Sequence, residues 1–131
     1  MIDIKVVTPR GEYLQTQVKS IHLKTVMGEM TLLPNHMPIF ASLVPCKMVL
    51  KNKEDQIQEY AISGGFLQFD QNKSMILTDA IEGKGEIDLA RAKAAYRRAR
   101  ERIDKKDANT NMKRAQLALE RAINRISVSG N

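Results

Sequence analysis

Hydrophobic spacing divides the chain into two regimes. Near the start, Ile2, Ile4 and Val6 alternate with Asp3 and Lys5, and a period of two lines up the apolar residues on one face of a strand. Turn residues, Thr8-Pro9-Arg10-Gly11, end that strand. Further β-rich stretches follow at 18–25, 30–33, 47–50, 57–62, 66–69 and 75–77, separated by polar or Gly- and Pro-bearing breaks such as 51–55. Short strands at this density predict a sandwich or barrel. Beyond Glu86 the period changes. Leu89, Ala92, Tyr96, Ala99 and Ile103 step three, four, three, four, and Met112, Ala115, Leu119, Ala122 and Ile126 repeat the same steps. Such steps hold one narrow helical face, so two helices with alanine-rich seams are expected. The short polar segment 105–111 suits antiparallel neighbours. Strands first and helices second read as an α+β fold or as two separate domains, a β-sandwich or barrel followed by an antiparallel two-helix hairpin. The boundary falls at Glu82-Gly83-Lys84-Gly85, giving domains 1–83 and 84–131, with Asp88 as N-cap of the first helix.

Charge sharpens this division. Residues 1–83 hold eight Lys or Arg against nine Asp or Glu, a net −1, whereas 84–131 hold thirteen against six, a net +7. Much of the excess is patterned: Arg91, Arg98 and Arg102 are spaced seven and four, and so are Arg114, Arg121 and Arg125. Each trio forms a stripe roughly 120° from its own seam at about 100° per residue. Seam-to-seam antiparallel pairing would bring both stripes to one side of the hairpin, lining a single groove with six guanidinium groups. A solvated face that keeps a bundle soluble is the ordinary alternative. Arginine in place of mixed lysine favours bidentate contact with phosphate or carboxylate. The basic half therefore expects an acidic partner: nucleotide, nucleic acid, anionic lipid or acidic protein loops.

Other chemistry is poorly supported. His22, His36 and Cys46 lack metal-ligand spacing, and neither a nucleophile elbow nor a phosphate-binding glycine loop occurs; no catalytic residue and no metal are assigned. The lone Cys46 excludes an internal disulfide and reads as a buried thiol of a reducing compartment. No apolar run is long enough to span a membrane, and the start lacks a signal or transit pattern. Tyr96 is the hairpin's single aromatic residue, which weakens a nucleic-acid reading, since single-strand binding adds stacking rings. Gly64-Gly65 reads as backbone freedom at a strand junction.

Gly28-Glu29-Met30-Thr31-Leu32-Leu33-Pro34-Asn35-His36-Met37-Pro38 resembles the G-E-x-x-I-L-P-x-H-x-P stretch of epsilon subunits of bacterial rotary, F-type ATP synthases. Ser63-Gly64-Gly65-Phe66-Leu67, Leu77-Thr78-Asp79-Ala80, Ile87-Asp88-Leu89-Ala90-Arg91-Ala92 and the segment 118–126 continue the likeness in order and spacing over nearly the whole chain. The resemblance implies a sandwich of about ten strands joining the gamma subunit to the c-ring of a proton-translocating complex at the cytoplasmic face of the plasma membrane. Glu29 and His36 match positions facing the c-ring, although turn structure explains them equally well. It also implies a non-catalytic rotor subunit whose hairpin, when extended towards the alpha and beta subunits, inhibits ATP hydrolysis. No cofactor is required on this reading. Regulatory ATP is implied on the folded hairpin, at positions matching Glu82, Ile87, Asp88, Arg91, Ala92, Arg98, Arg114, Arg121 and Arg125. Two departures from the family pattern, Cys46 and Asn35, stand where glycine is common. A free-standing basic module binding nucleotide or nucleic acid is the alternative; with the resemblance stated, no nucleic-acid partner is expected.

Overall fold

Strands that alternate apolar and polar residues bury one face only, so they need a second layer to cover it. A computed structural model describes residues 1–105 and 111–130. Its strands are β1 (Ile2–Thr8), β2 (Gly11–Val18), β3 (Ser20–Thr25), β4 (Gly28–Leu32), β5 (Ile39–Leu43), β6 (Cys46–Lys51), β7 (Ile57–Ile62), β8 (Gly65–Asp70), β9 (Lys73–Leu77) and β10 (Ile81–Gly83). They form one continuous ladder in the order β10-β7-β6-β3-β5-β8-β9-β1-β2, with β4 added beside β3. β3 pairs with β6 over Ser20 to His22 and with β5 at Thr25, which carries the ladder from one layer to the other. All described pairings are antiparallel except β1 with β9, which run parallel. The two layers share one core, in which Ile2, Ile4, Ile21, Leu23, Met48, Leu50, Leu67, Phe69 and Ile76 are almost wholly buried.

Sequence periodicity missed β2, β5 and β10, and each miss has a local reason. β2 is an edge strand with one fully buried residue, Val18; β5 turns Phe40 outward; β10 has three residues. The glycine pair behaves as expected: Gly65 has φ +124°, and a Cβ there would collide with the Leu77 carbonyl. Asn35 adopts φ 69°, a left-handed conformation that asparagine tolerates nearly as well as the glycine common at this place. Its amide donates to Asn72 Oδ1 at 2.6 Å, and Asn72 Nδ2 returns a bond to Asn35 Oδ1 at 3.1 Å. Cys46 is buried, as its role predicts. Its sulfur accepts the Lys24 amide at 3.4 Å, and burial pushes the thiol pKa up, so it stays protonated and unreactive.

A 3₁₀ turn at Lys84–Glu86 leads to α1 (Leu89–Lys105) and α2 (Met112–Gly130). Asp88 Oδ1 accepts the Arg91 amide and Asn111 Oδ1 the Arg114 amide, each at 3.0 Å, so both helices carry side-chain N-caps. Ala92, Ala99, Ala115 and Ala122 are buried and their larger seam neighbours half-buried, the alternation expected of two facing seams. The connection proposed at 105–111 lies largely outside the described residues.

Candidate anion-binding cleft

On α2 the residues Arg121, Asn124, Arg125 and Val128 recur at helical steps and share a face distinct from the alanine seam. That face meets the sandwich, because α2 packs on β6 and β7. Val128 is fully buried. Asn124 Nδ2 donates to the carbonyls of Cys46 at 2.7 Å and Ile62 at 3.3 Å, the terminal pair of the β6–β7 ladder. Arg125 approaches Glu82 of β10 twice: Nε lies 2.6 Å from Oε1 as an ion-pair contact, and Nη2 donates an aligned bond to Oε2 at 3.1 Å. The pair is about three-quarters shielded, with 26% and 29% of the side chains exposed, where charge-assisted contacts are stronger than at an open surface.

Around these contacts lies a cleft of about 700 Å³. Arg91, Ala95 and Arg98 of α1 and Arg121, Asn124 and Arg125 of α2 form one wall. The opposite wall belongs to the sandwich: the β1–β2 turn from Thr8 to Tyr13, the end of β7, and Asp79 to Glu82. The early part of α1 and the late part of α2 thus face the same space, as antiparallel packing requires. Arg121 Nε is shielded from solvent with no hydrogen-bond acceptor among the described residues, a donor whose desolvation calls for an anion.

The predicted groove is therefore divided. Arg91, Arg98, Arg121 and Arg125 come together, but against the sandwich and not between the helices alone. Arg102 and Arg114 are exposed and do not line the cleft, because antiparallel pairing carries the end of α1 and the start of α2 away from the sandwich. Glu82 lines it, already engaged by Arg125. Ile87 is half-buried at the hinge, the Asp88 carboxylate caps α1, and Ala92 is buried in the seam; none of the three lines the cleft. Arg10 and Asn124 do line it and went unnoticed in the sequence. The step of three from Arg121 to Asn124 was the available signal for the second.

The cleft sits over the place where the ladder's two ends meet. Tyr13 of β2 and Tyr60 of β7 contact edge to face, with ring centroids 6.2 Å apart. Glu86 bridges these ends by accepting from the Tyr13 hydroxyl and, at 3.0 Å, from the Gly83 amide. Those bonds hold the Glu86 carboxyl below the usual range, while burial and the neighbouring Glu86 push the Tyr13 phenol up.

The positions expected at the c-ring lie elsewhere on the sandwich. Glu29 of β4 is exposed, 3.8 Å from His22 Nε2. His36 follows β4; its Nδ1 pairs with the Met37 carbonyl at 2.7 Å and its ring stands edge-on to Phe69, at 5.9 Å between centroids. The ring therefore packs on Phe69 as well as following Pro34.

Comparison with known proteins agrees with this architecture. Residues 1–84 match the family profile described as ATP synthase delta/epsilon chain, beta-sandwich domain, and residues 86–130 that of the long alpha-helix domain. The ATP synthase epsilon chain of Bacillus cytotoxicus is 40% identical over 96% of this chain and 94% of its own length. That of Ligilactobacillus salivarius is 36% identical over 98% and 95%. Among solved structures, a chain of the Euglena gracilis mitochondrial ATP synthase, in its OSCP/F1/c-ring assembly, superposes with TM-score 0.81 at 26% identity, covering 91% of this chain and 75% of that one. A chain of the Tetrahymena thermophila mitochondrial ATP synthase shares the fold at TM-score 0.62 and 14% identity, over 98% and 96%. With both halves matched in order and relatives aligned nearly end to end, the chain belongs to the ATP synthase delta/epsilon family, as an epsilon chain, a non-catalytic subunit of that enzyme.

Proposed function

We propose that this subunit works in the rotor of a bacterial F-type ATP synthase, joining gamma to the c-ring through its sandwich. Its hairpin restrains ATP hydrolysis when extended towards alpha and beta, and binds ATP without hydrolysing it when folded. An apolar strip on the outer face of the sandwich supports a protein partner there: Phe40 and Phe66 stack at 5.8 Å, beside exposed Met75 and Leu77. Glu29 and His36 are the residues offered to the c-ring. Among the described residues no helix is long and apolar enough to cross a membrane, so attachment to the cytoplasmic face of the membrane would come through the complex.

The observation that carries the ATP reading is the arginine-walled cleft, with four guanidinium groups on the hairpin side. Phosphates would sit among Arg91, Arg98, Arg121 and Arg125, with Arg114 outside. Adenine would lie at the Glu82 end of the cleft, the end that leads on to the hinge at Ile87 and Asp88, neither of which, nor buried Ala92, lines the cleft itself. A ligand touching both walls favours the docked hairpin by its differential affinity. Calorimetric titration with ATP tests this. Arg98→Ala should weaken binding about tenfold or more, in line with roughly 1.5–3 kcal/mol for a hydrogen bond to a charged group. Arg125→Ala should cost more, because it also leaves Glu82 unpaired beside the phosphates. Undiminished affinity in both variants would remove the phosphates from this cleft. For the inhibitory role, deleting residues 85–131 should preserve assembly and raise hydrolysis by the complex; unchanged hydrolysis would count against it.

A further inference from the structure

The hairpin supplies only one wall of the cleft, and the facing wall carries a cation of its own. Arg10 is the single Lys or Arg that the sandwich contributes to the lining. Its turn is ordered: the Arg10 amide donates to Thr8 Oγ1 at 3.2 Å, and that hydroxyl donates to the Gly11 carbonyl at 3.2 Å. Arg10 makes no ion pair among the described residues, although Glu12, Asp79 and Glu86 line the same wall; Glu12 pairs with Lys5 at 3.6 Å and Glu86 accepts from the Tyr13 hydroxyl. On the hairpin wall, Arg125 is already engaged by Glu82, whereas Arg91, Arg98 and Arg121 have no carboxylate partner among the described residues. Cations left unneutralised on both sides of a space of about 700 Å³ suit a ligand that carries several negative charges along its length. A lone phosphate would satisfy one wall; a polyphosphate chain can reach both.

We infer that Arg10 is a further phosphate contact, and that it makes the triphosphate a tie between sandwich and hairpin instead of a ligand of the hairpin alone. This rests on the reading of the cleft as a nucleotide site. It adds that a contact on the non-moving wall converts phosphate affinity directly into docking of the hairpin: an extended hairpin takes its own arginines away and leaves Arg10 behind. A ligand held by the hairpin alone would travel with it and bias neither state.

The test is calorimetry on the full chain with ATP, inorganic tripolyphosphate and adenosine, using wild type, Arg10→Ala, Arg10→Lys and, as a control for net charge, Arg97→Ala, an exposed α1 residue outside the cleft. Arg10→Ala should weaken ATP and tripolyphosphate by a similar factor, on the order of fivefold to tenfold for one exposed charge-assisted contact, and leave adenosine unchanged. Arg10→Lys should recover part of the loss, and Arg97→Ala should lose little. Wild-type affinity in Arg10→Ala, or an equal loss in Arg97→Ala, would overturn the assignment of Arg10 while leaving the nucleotide site standing. Failure of wild type to bind ATP at millimolar concentration would overturn both. Arg10 lies on an exposed turn away from the core, so matching circular dichroism spectra are expected, and the comparison remains one of binding.

Discussion

Leu67 and Phe69 in the sandwich and Ala99 and Ala122 in the hairpin are all nearly inaccessible to solvent, yet they stabilise their domains very differently. Burying a large apolar side chain contributes about 1.5–3 kcal/mol, whereas one methylene-sized group contributes about 0.8 kcal/mol. The sandwich gathers many large side chains around one centre. The hairpin gathers four alanines and Val128, then relies on the Asn124 amide, the Arg125–Glu82 pair and the Glu86 bridge to hold it in place. One half is built to stay folded and the other is attached by contacts that single substitutions can remove.

The sharpest way to break this contrast is at the strong end. Phe69→Ala should destabilise the sandwich by about 3–5 kcal/mol and release the hairpin with it, because α2 rests on β6 and β7; chemical denaturation followed by circular dichroism measures the loss. Ala99→Leu attacks the seam instead. Overpacking there should cost about 1–3 kcal/mol, and hydrogen exchange should show lost protection in α1 and α2 with the strands unchanged. If the strands lose protection too, the two halves are one cooperative unit. Asn124→Ala should act more gently still, by about 1 kcal/mol for two mixed-quality hydrogen bonds. It should raise exchange in α2 while leaving the helix–helix seam paired.

The smallest effect expected is a pH dependence. Glu86 has a depressed carboxyl pKa in the docked state, so its bridge stabilises docking fully above the unperturbed value of about 4.3. That contribution is lost as pH falls through the lower, docked-state value. Tyr13 has a raised pKa, so its contribution is complete below the ordinary phenol value of about 10 and is lost as pH rises towards its docked-state value. The stability difference between wild type and Glu86→Gln should therefore be flat through neutral pH and shrink at the acid end. A difference that persists undiminished at pH 3 would show that the bridge acts through shape and not through charge.

What could be seen in the sequence follows the same contrast. Strong alternation in β1, and the three-four steps of the seams, come from residues whose position in the core decides their type. Edge strand β2 and the three-residue β10 face weaker demands on burial and carry no clear period. The arginine spacing was legible, but its setting was not: a stripe of guanidinium groups on an isolated hairpin looks solvent-facing until the sandwich is placed against it. Asn124 is the clearest case. Its step of three from Arg121 places it on the arginine face, but its importance comes from two carbonyls at Cys46 and Ile62, far away in the chain, and no local pattern encodes such partners. Arg10 is hidden for the same reason, being an ordinary turn residue by sequence and a cleft wall only by topology.

The parallel pairing of β1 with β9 also has a consequence for how the subunit is made. β1 spans Ile2–Thr8 and precedes the other described strands, but one of its two edges waits for Lys73–Leu77. During that interval a β1–β2 ribbon would expose unsatisfied backbone groups, the kind of edge that recruits stray strands. Closure of such distant pairings is slow because chain entropy is lost before contacts are gained. On the ribosome, then, the sandwich can close only after β9 has left the exit tunnel. The helices that follow emerge onto a scaffold still completing itself, and chaperone dependence should be concentrated in the window when β1 is made and β9 is not.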